Sequence, residues 1–362
     1  MSDLTFEIQS HPAPRTAEER AALMANPGFG KVFTDHMVVA RYTAGRGWHD
    51  ARIQAREAIP LDPAAAVLHY AQEIFEGLKA YRTADGGAAL FRPEANALRF
   101  RRSAERMAMA PFPEDAFVEA MRKLVEIDRA WIPDTADGSL YLRPFMIASE
   151  AFLGVKPASE YLFVTIASAV GSYFKDPTGT VTVWVSEHFT RAAPGGTGAA
   201  KCGGNYAASL AAQSEAASQG CEQVVFLDAA ERRFVEELGG MNVFFVFEDG
   251  TLVTPPLSDS ILPGITRDSV ITLAREAGLT VKEEPYTIDA WRADVREGRL
   301  TEAFACGTAA VITPIGTVKG REESFTIGNG KAGPVAQRLR SLLVDIQRGN
   351  SNDAHGWFQK IF

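Results

Sequence analysis

The stretch "GTGAAKCGGNYAASLAAQSEAASQGCEQVVFLD", residues 196–228, sets one lysine, Lys201, between small residues and a Gly203-Gly204-Asn205-Tyr206 turn. The glycine pair lets the backbone turn where a side chain would intrude, and Asn205 is a good residue to begin a helix. A helix is predicted over "YAASLAAQSEAASQ", ended by Gly220, with a strand over "CEQVVFLD". The lysine therefore occupies a turn fixed between ordered elements. Shielded from water, such a lysine can lose its proton and act as a nucleophile.

Composition bounds what the rest can be. A chain of 362 residues exceeds the size at which one core keeps growing, so two domains are expected. A net charge of -8 argues against general affinity for nucleic acid or anionic membrane, which leaves small molecules and other protein chains as partners. Cys202, Cys221 and Cys306 are odd in number and lack metal-ligand spacing, which fits a reducing compartment. The opening "MSDLTFEIQSHPAPRTAEER" has no apolar core of the secretory kind, and no run approaches membrane-spanning length. A cytoplasmic protein is expected.

Working outward, helical spacing marks "RPEANALRFRRSAERMAM" and "PEDAFVEAMRKLVEIDRAWI", whereas "SLYLRPFMIAS", "EYLFVTIASAV" and "TVTVWVSEH" are of strand type. Between the last two, "GSYFKDPTGT" carries Gly171, Pro177 and Gly179 and is the predicted linker. The division expected is a smaller N-terminal α+β domain over 1–174 and a larger α+β domain over 175–362. In "NVFFVFEDGTLVTP", Asp249-Gly250 predicts a hairpin. The fold class is α+β, two domains with mixed sheets, since the regular βαβ rhythm of a doubly wound fold is missing.

Two phosphate motifs fail on inspection. "GGTGAAKC" resembles a P-loop, but Ala200 stands where glycine should precede the lysine and Cys202 replaces the Ser or Thr that would meet magnesium. "GNGKAG", residues 328–333, is a literal G-x-G-x-x-G, yet too little chain follows for a dinucleotide fold, so it predicts a turn and a helix start. The six histidines are scattered without ligand spacing, and no G-x-S-x-G elbow occurs, so no metal is expected. A lysine-based covalent mechanism survives this pruning.

Such a mechanism implies a Schiff base, with a carbonyl substrate or with pyridoxal 5'-phosphate. The cofactor version needs a phosphate cradle, an acid at the pyridine nitrogen and a donor at the ring oxygen. Arg99 could supply charge to the phosphate, "ILPGITRDS" offers the Ile265 and Thr266 amides at a helix start, and "ACGTAAV" adds the Thr308 hydroxyl. Glu237, at a strand end before a Gly-Gly turn, could serve the ring nitrogen, with Glu236 as the competing choice on the opposite face. Pattern alone also reads Arg99, among Arg101, Arg102 and Arg106, as part of a solvated face, and Phe29, Phe75 and Tyr173 as core aromatics.

"HYAQEIFEGLKAYR", "LYLRPF", "KCGGNYAASL", "EELGGMN", "LPGITR" and "GTAAVITPI", in this order, resemble the branched-chain amino acid aminotransferases, fold-type IV pyridoxal phosphate enzymes, from about Phe29 onward. The resemblance implies that architecture, with Lys201 as Schiff-base lysine and proton shuttle and Tyr206 on the ring oxygen. It also implies Glu237 on the pyridine nitrogen and Arg99, Ile265, Thr266 and Thr308 on the phosphate. Phe29, Tyr70, Phe75, Tyr141, Tyr173 and Gly240 correspond to substrate-pocket positions, Arg143 and Tyr141 to the pair receiving substrate carboxylates, and the Ala309 backbone lies nearby. Leu153 and Val155 correspond to a loop reaching a neighbouring subunit's pocket, so a homodimer is implied.

The implied activity is reversible, ping-pong amino transfer between L-leucine, L-isoleucine or L-valine and 2-oxoglutarate. Animal members carry a Cys-x-x-Cys pair where Ala310 and Thr313 stand here, so no thiol switch is expected there, and Gly240 replaces their threonine. A D-amino acid aminotransferase or an aminodeoxychorismate lyase shares the fold type. "FEGLKAYR" with "LYLRP" favours the branched-chain group. A non-catalytic nucleotide binder using "GNGKAG" is the reading from another class.

Overall fold

The computed structural model describes residues 4–171, Tyr173 and 179–362. Pro177, the centre of the predicted linker, and the boundary at 174/175 lie outside the described residues. The chain forms two compact units: one of Met1–Tyr173, Ala200–Gly203 and Ile346–Phe362, the other of Phe174–Ala199 and Gly204–Asp345. The sequence-based division places 200–203 and 346–362 in the second domain. Hydrogen bonding of the first segment and strand pairing of the second carry both into the first unit, which is thereby the longer.

In the first unit the strands are β1 (Glu7–Ile8), β2 (Val32–Thr43), β3 (Gly47–Ala55), β4 (Glu73–Phe75), β5 (Leu78–Arg82), β6 (Ala88–Phe91), β7 (Ser139–Ala148) and β8 (Glu160–Val170). With the C-terminal strand Phe358–Lys360 they form one sheet, in the order β1-β3-β2-β8-β7-β5-β6 and then that strand, with β4 also paired to β7. Its helices are α1 (Ala17–Met24), α2 (Ala66–Tyr70), α3 (Pro93–Arg106) and α4 (Glu114–Ile127). Pro93 opens α3, where its fixed φ suits the first turn and its missing N–H is not needed.

Phe100 of α3 and Phe117 of α4 pack on Phe163 of β8, and Phe112 stacks on that ring at 3.9 Å. Each such buried ring is worth roughly 1.5–3 kcal/mol. Core lies on both faces of β8, with Phe163 on one and Leu162 and Val164 on the other. That is why "EYLFVTIASAV" runs apolar without alternation.

The second unit holds β9 (Val181–Ser186), β10 (Gln223–Leu227), β11 (Val235–Leu238), β12 (Asn242–Phe247), β13 (Thr251–Thr254), β14 (Thr280–Glu283), β15 (Leu300–Gly307), β16 (Val311–Lys319) and β17 (Ser324–Thr326). Their order is β11-β10-β9-β16-β15-β12-β13-β14, with β17 on β16. The sheet is mixed: β9 runs parallel to both β10 and β16, and β12 antiparallel to β13 and β15. The expected hairpin joins β12 to β13, with Gly250 at φ 82.

Helices α5 (Gly203–Ser218), α6 (Ile265–Glu276), α7 (Ile288–Arg296) and α8 (Pro334–Arg348) complete the list. The first of these begins two residues before Asn205, a difference from the sequence reading. The Asn205 side chain is spent on Thr197, accepting from its hydroxyl and donating to its carbonyl at 2.7 Å each, so it ties down the small-residue run instead of capping the helix.

Candidate functional site

Lys201 sits in a strap of three backbone hydrogen bonds within the first unit. Its N–H donates to Ser103 Oγ at 2.9 Å, its carbonyl accepts from Phe75 N–H at 2.9 Å, and the Gly203 N–H donates to Glu73 Oε1. The Lys201 amine lies 4.8 Å from the centre of the Phe75 ring, and the Arg143 guanidinium lies 4.8 Å from the same centre. One aromatic ring thus has an amine and a guanidinium beside it: a nucleophile for a carbonyl carbon and a partner for a carboxylate.

"FEG" assigns its three residues in turn. Phe75 carries the two cations. Glu76, wholly buried, receives Arg99 through Nε at 2.6 Å and Nη2 at 2.8 Å, with Asn96 Nδ2 at 2.8 Å. Burial pushes the Glu76 carboxyl up, but the charge and hydrogen bonds of Arg99, the charge of Lys201 and the Asn96 bond outweigh it and hold it below its ordinary value. Gly77 leaves room for Tyr141, whose hydroxyl would lie 2.0 Å from any Cβ there. That hydroxyl accepts from Arg143 Nη2 at 3.0 Å, so the expected polar pair is assembled.

Phe29 meets the Tyr141 ring at 5.1 Å and the Tyr173 ring at 4.9 Å, both edge-on, which joins three of the expected pocket aromatics. Arg99 belongs to a buried face and not to a solvated one, while Arg102 on the same helix is exposed. Tyr70, Leu153 and Val155 are arranged differently. The Tyr70 ring meets those of His69 and Phe152, and Leu153 and Val155 are 72% and 91% exposed.

In the second unit Glu237 is buried on β11. Its Oε1 accepts from the Leu262 N–H at 2.6 Å and its Oε2 lies 2.9 Å from Arg191 Nε, itself a buried guanidinium that donates to the Ser260 carbonyl at 2.7 Å. Glu236 is half-buried and accepts from the Ser260 hydroxyl, and burial raises its carboxyl. Tyr206, in the first turn of α5, lies against Gly240: a Cβ at 240 would be 3.0 Å from its ring. Gly264 precedes Ile265 and Thr266 at the start of α6, which has no side-chain cap. Thr308 and Ala309 lie in the tight turn from β15 to β16, which ends at Val311 with φ 63, a strained value for a β-branched residue. Cys306, fully buried, has its thiol pushed up by burial, and Cys202 is part of the first unit's core.

"GNGKAG" is the turn and helix start expected of it. The first amides of α8, at Val335 and Ala336, already donate to the Glu302 carboxylate at 2.9 Å each, so that helix end has its anion. Among the described residues no group of three His, Cys, Asp or Glu could hold a metal, and no helix is long and apolar enough to cross a membrane.

Sequence reasoning passed over Glu73, Glu76, Asn96, Ser103 and Arg191. A signal existed for two of them. Asn96, Arg99 and Ser103 recur at helical spacing among the buried Ala97, Phe100 and Ala104, a polar stripe where core residues belong.

These donors suit pyridoxal phosphate. In the first unit a strapped lysine suits an aldehyde carbon and a buried arginine suits a phosphate; in the second, taken by itself, a buried carboxylate paired with an arginine suits a pyridinium nitrogen and uncapped helix amides suit a phosphate. Residues 73–318 match the family described as amino-transferase class IV. The chain is 54% identical to the branched-chain-amino-acid aminotransferase of Mycolicibacterium smegmatis, over 99% of this chain and 98% of that one. It is 47% identical to branched-chain-amino-acid transaminase 1 of Bacillus subtilis, over 92% and 94%. Among solved structures, the Escherichia coli branched-chain amino acid aminotransferase superposes with a TM-score of 0.74 at 29% identity, covering 89% of this chain and 99% of that one. The branched-chain amino acid aminotransferase of Thermobaculum terrenum, in its pyridoxal phosphate form, gives 0.72 at 28%, covering 90% and 98%. The chain therefore belongs to amino-transferase class IV and, within it, to the pyridoxal phosphate-dependent branched-chain-amino-acid aminotransferases.

Proposed function

We propose that this enzyme moves an amino group reversibly between L-leucine, L-isoleucine or L-valine and 2-oxoglutarate in two half-reactions, with Lys201 as the reacting amine. The observation that carries the reading is the Phe75 ring, which holds the Lys201 amine and the Arg143 guanidinium at the same distance. Bound pyridoxal phosphate supplies the electron sink that makes the substrate's α-carbon acidic. Lys201 Nζ would take the proton from the α-carbon and give it, from the same side, to the carbon that had carried the aldehyde, so no net proton is gained or lost in that transfer. Glu237, paired with Arg191, serves the ring nitrogen, and Tyr206 the ring oxygen. Arg99, oriented by Glu76, holds the phosphate together with the amides of Ile265 and Thr266 and the hydroxyl of Thr308.

Arg143 and Tyr141 receive a substrate carboxylate, with the Ala309 backbone as a further contact of the substrate, while Phe29, Phe75 and Tyr173 cover the aliphatic branch. Gly240 leaves the Tyr206 ring its space. Leu68, Tyr70, Leu153 and Val155 form exposed apolar surface that a second copy of the chain covers, making the enzyme a homodimer. Three cysteines without a disulfide support a cytoplasmic setting. The test is borohydride reduction of the purified protein followed by peptide mapping. The pyridoxyl mass is expected on Lys201 and absent from Lys201→Ala; its appearance on another lysine would overturn the assignment.

A further inference from the structure

The segment Ala200–Gly203 belongs to the first unit although its neighbours on both sides in sequence belong to the second, so something must hold it there. The Ser103 hydroxyl holds one side, and strand β4 holds the other through the Phe75 amide and the Glu73 carboxylate. The last of these brings a charge to the strap. A charged acceptor makes the strongest kind of backbone hydrogen bond, and Glu73 is partly buried, where such a bond gains further. Gly203 is fitted to it: a Cβ at 203 would lie 2.0 Å from Glu73 Oε1, so any other residue would push the carboxylate off the amide. Burial pushes the Glu73 carboxyl up, opposed by the Gly203 amide and by the charge of Arg143, which places this carboxylate within the field of the guanidinium proposed to take substrate.

We infer that Glu73 is a positioning residue, whose carboxylate fixes the Lys201–Gly203 turn and so aims the lysine amine, without itself touching substrate. The inference rests on the reading of Lys201 as the reacting amine. A side chain aimed from a loosened backbone wanders, and misplacement by about 1 Å can cost on the order of a hundredfold in rate.

The experiment compares the purified holoenzyme with Glu73→Ala and Glu73→Gln by residue-resolved amide hydrogen exchange and by steady-state kinetics with L-leucine. In Glu73→Ala the Gly203 amide exchanges about 10- to 100-fold faster, the change expected when a charged acceptor is lost. The amides of β7 keep their rates. The value of kcat falls by about 10- to 100-fold while KM stays within about threefold, and Glu73→Gln, which retains an acceptor oxygen, recovers most of both effects. Should Glu73→Ala fail to fold, Gly203→Ala displaces the carboxylate sterically and must give the same kinetic split. Unchanged Gly203 exchange in Glu73→Ala, or a loss confined to KM, overturns the inference. A cofactor trapped on a lysine other than Lys201 would instead overturn the functional reading and leave the exchange result standing.

Discussion

Replacing Glu76 by glutamine changes one oxygen for one nitrogen in a place where four donors converge. Arg99 Nε and Nη2, Asn96 Nδ2 and the Gly77 N–H all point at a carboxylate with no exposed surface. Glutamine offers one acceptor oxygen, turns its own N–H groups toward other donors, and leaves the Arg99 guanidinium buried without its counter-ion. Breaking a buried pair in this way costs about 3–5 kcal/mol. Because the chain has two units, the cost is read from native-state hydrogen exchange of the slowest β7 and β8 amides, which report on the first unit. The Glu76 carboxyl sits below its ordinary 4.5 in the folded state, since Arg99, Lys201 and Asn96 outweigh burial. A group depressed in this way stabilises the fold above its unfolded pKa, and that contribution is lost as pH falls through the folded value. The gap between wild type and Glu76→Gln is therefore full at neutral pH and narrows below 4.5. Glu76→Leu with Arg99→Met removes both charges and restores stability to within about 1 kcal/mol. The same pair of changes weakens cofactor binding, which separates the fold's need of Arg99 from the phosphate's. A cost under about 1 kcal/mol for Glu76→Gln at neutral pH would refute the reasoning.

Gly240→Thr brings a Cβ to 3.0 Å from the Tyr206 ring, and overpacking of about 1–2 kcal/mol raises the half-saturating pyridoxal phosphate roughly tenfold in an absorbance titration; an unaltered midpoint would separate Tyr206 from the cofactor. Glu302→Ala strips the carboxylate from the Val335 and Ala336 amides and destabilises α8 by about 1–2 kcal/mol, seen as faster exchange in that helix alone. Leu153→Asp with Val155→Asp turns the dimer into monomers in analytical ultracentrifugation, and a wild type that sediments as a monomer would show that no second copy covers this surface.

The long elements were legible because their periods are strong. The Phe100 and Phe117 stripes marked α3 and α4, and strand-type runs rich in apolar residues marked β7 and β8. Lys201 stood out because glycines on one side and small residues on the other have no purpose around a solvated lysine. What the sequence hid depends on contacts across the chain. Nothing local tells that residues 200–203 leave the segment around them to join β4, or that Asn205 ties a loop instead of capping a helix. Arg99 illustrates the limit. Its neighbours Arg101 and Arg102 suggest a wet face, the stripe it shares with Asn96 and Ser103 suggests a buried one, and its partner Glu76, 23 positions earlier, is not readable from the helix. The choice of Glu237 over Glu236 followed from the resemblance; in the structure Glu237 is the more deeply buried of the two and meets Arg191 and the Leu262 amide, contacts no local pattern announces.

The central claim is that this chain carries out amino transfer from branched-chain L-amino acids through a cofactor held on Lys201. The visible absorption spectrum of the purified enzyme, recorded before and after L-leucine is added without any oxo acid, tests it most directly. The account predicts a yellow band that fades into the near-ultraviolet absorption of the pyridoxamine form, with Lys201→Ala lacking this conversion. A band that ignores L-leucine but responds to D-alanine, or no band after incubation with pyridoxal phosphate, would contradict it.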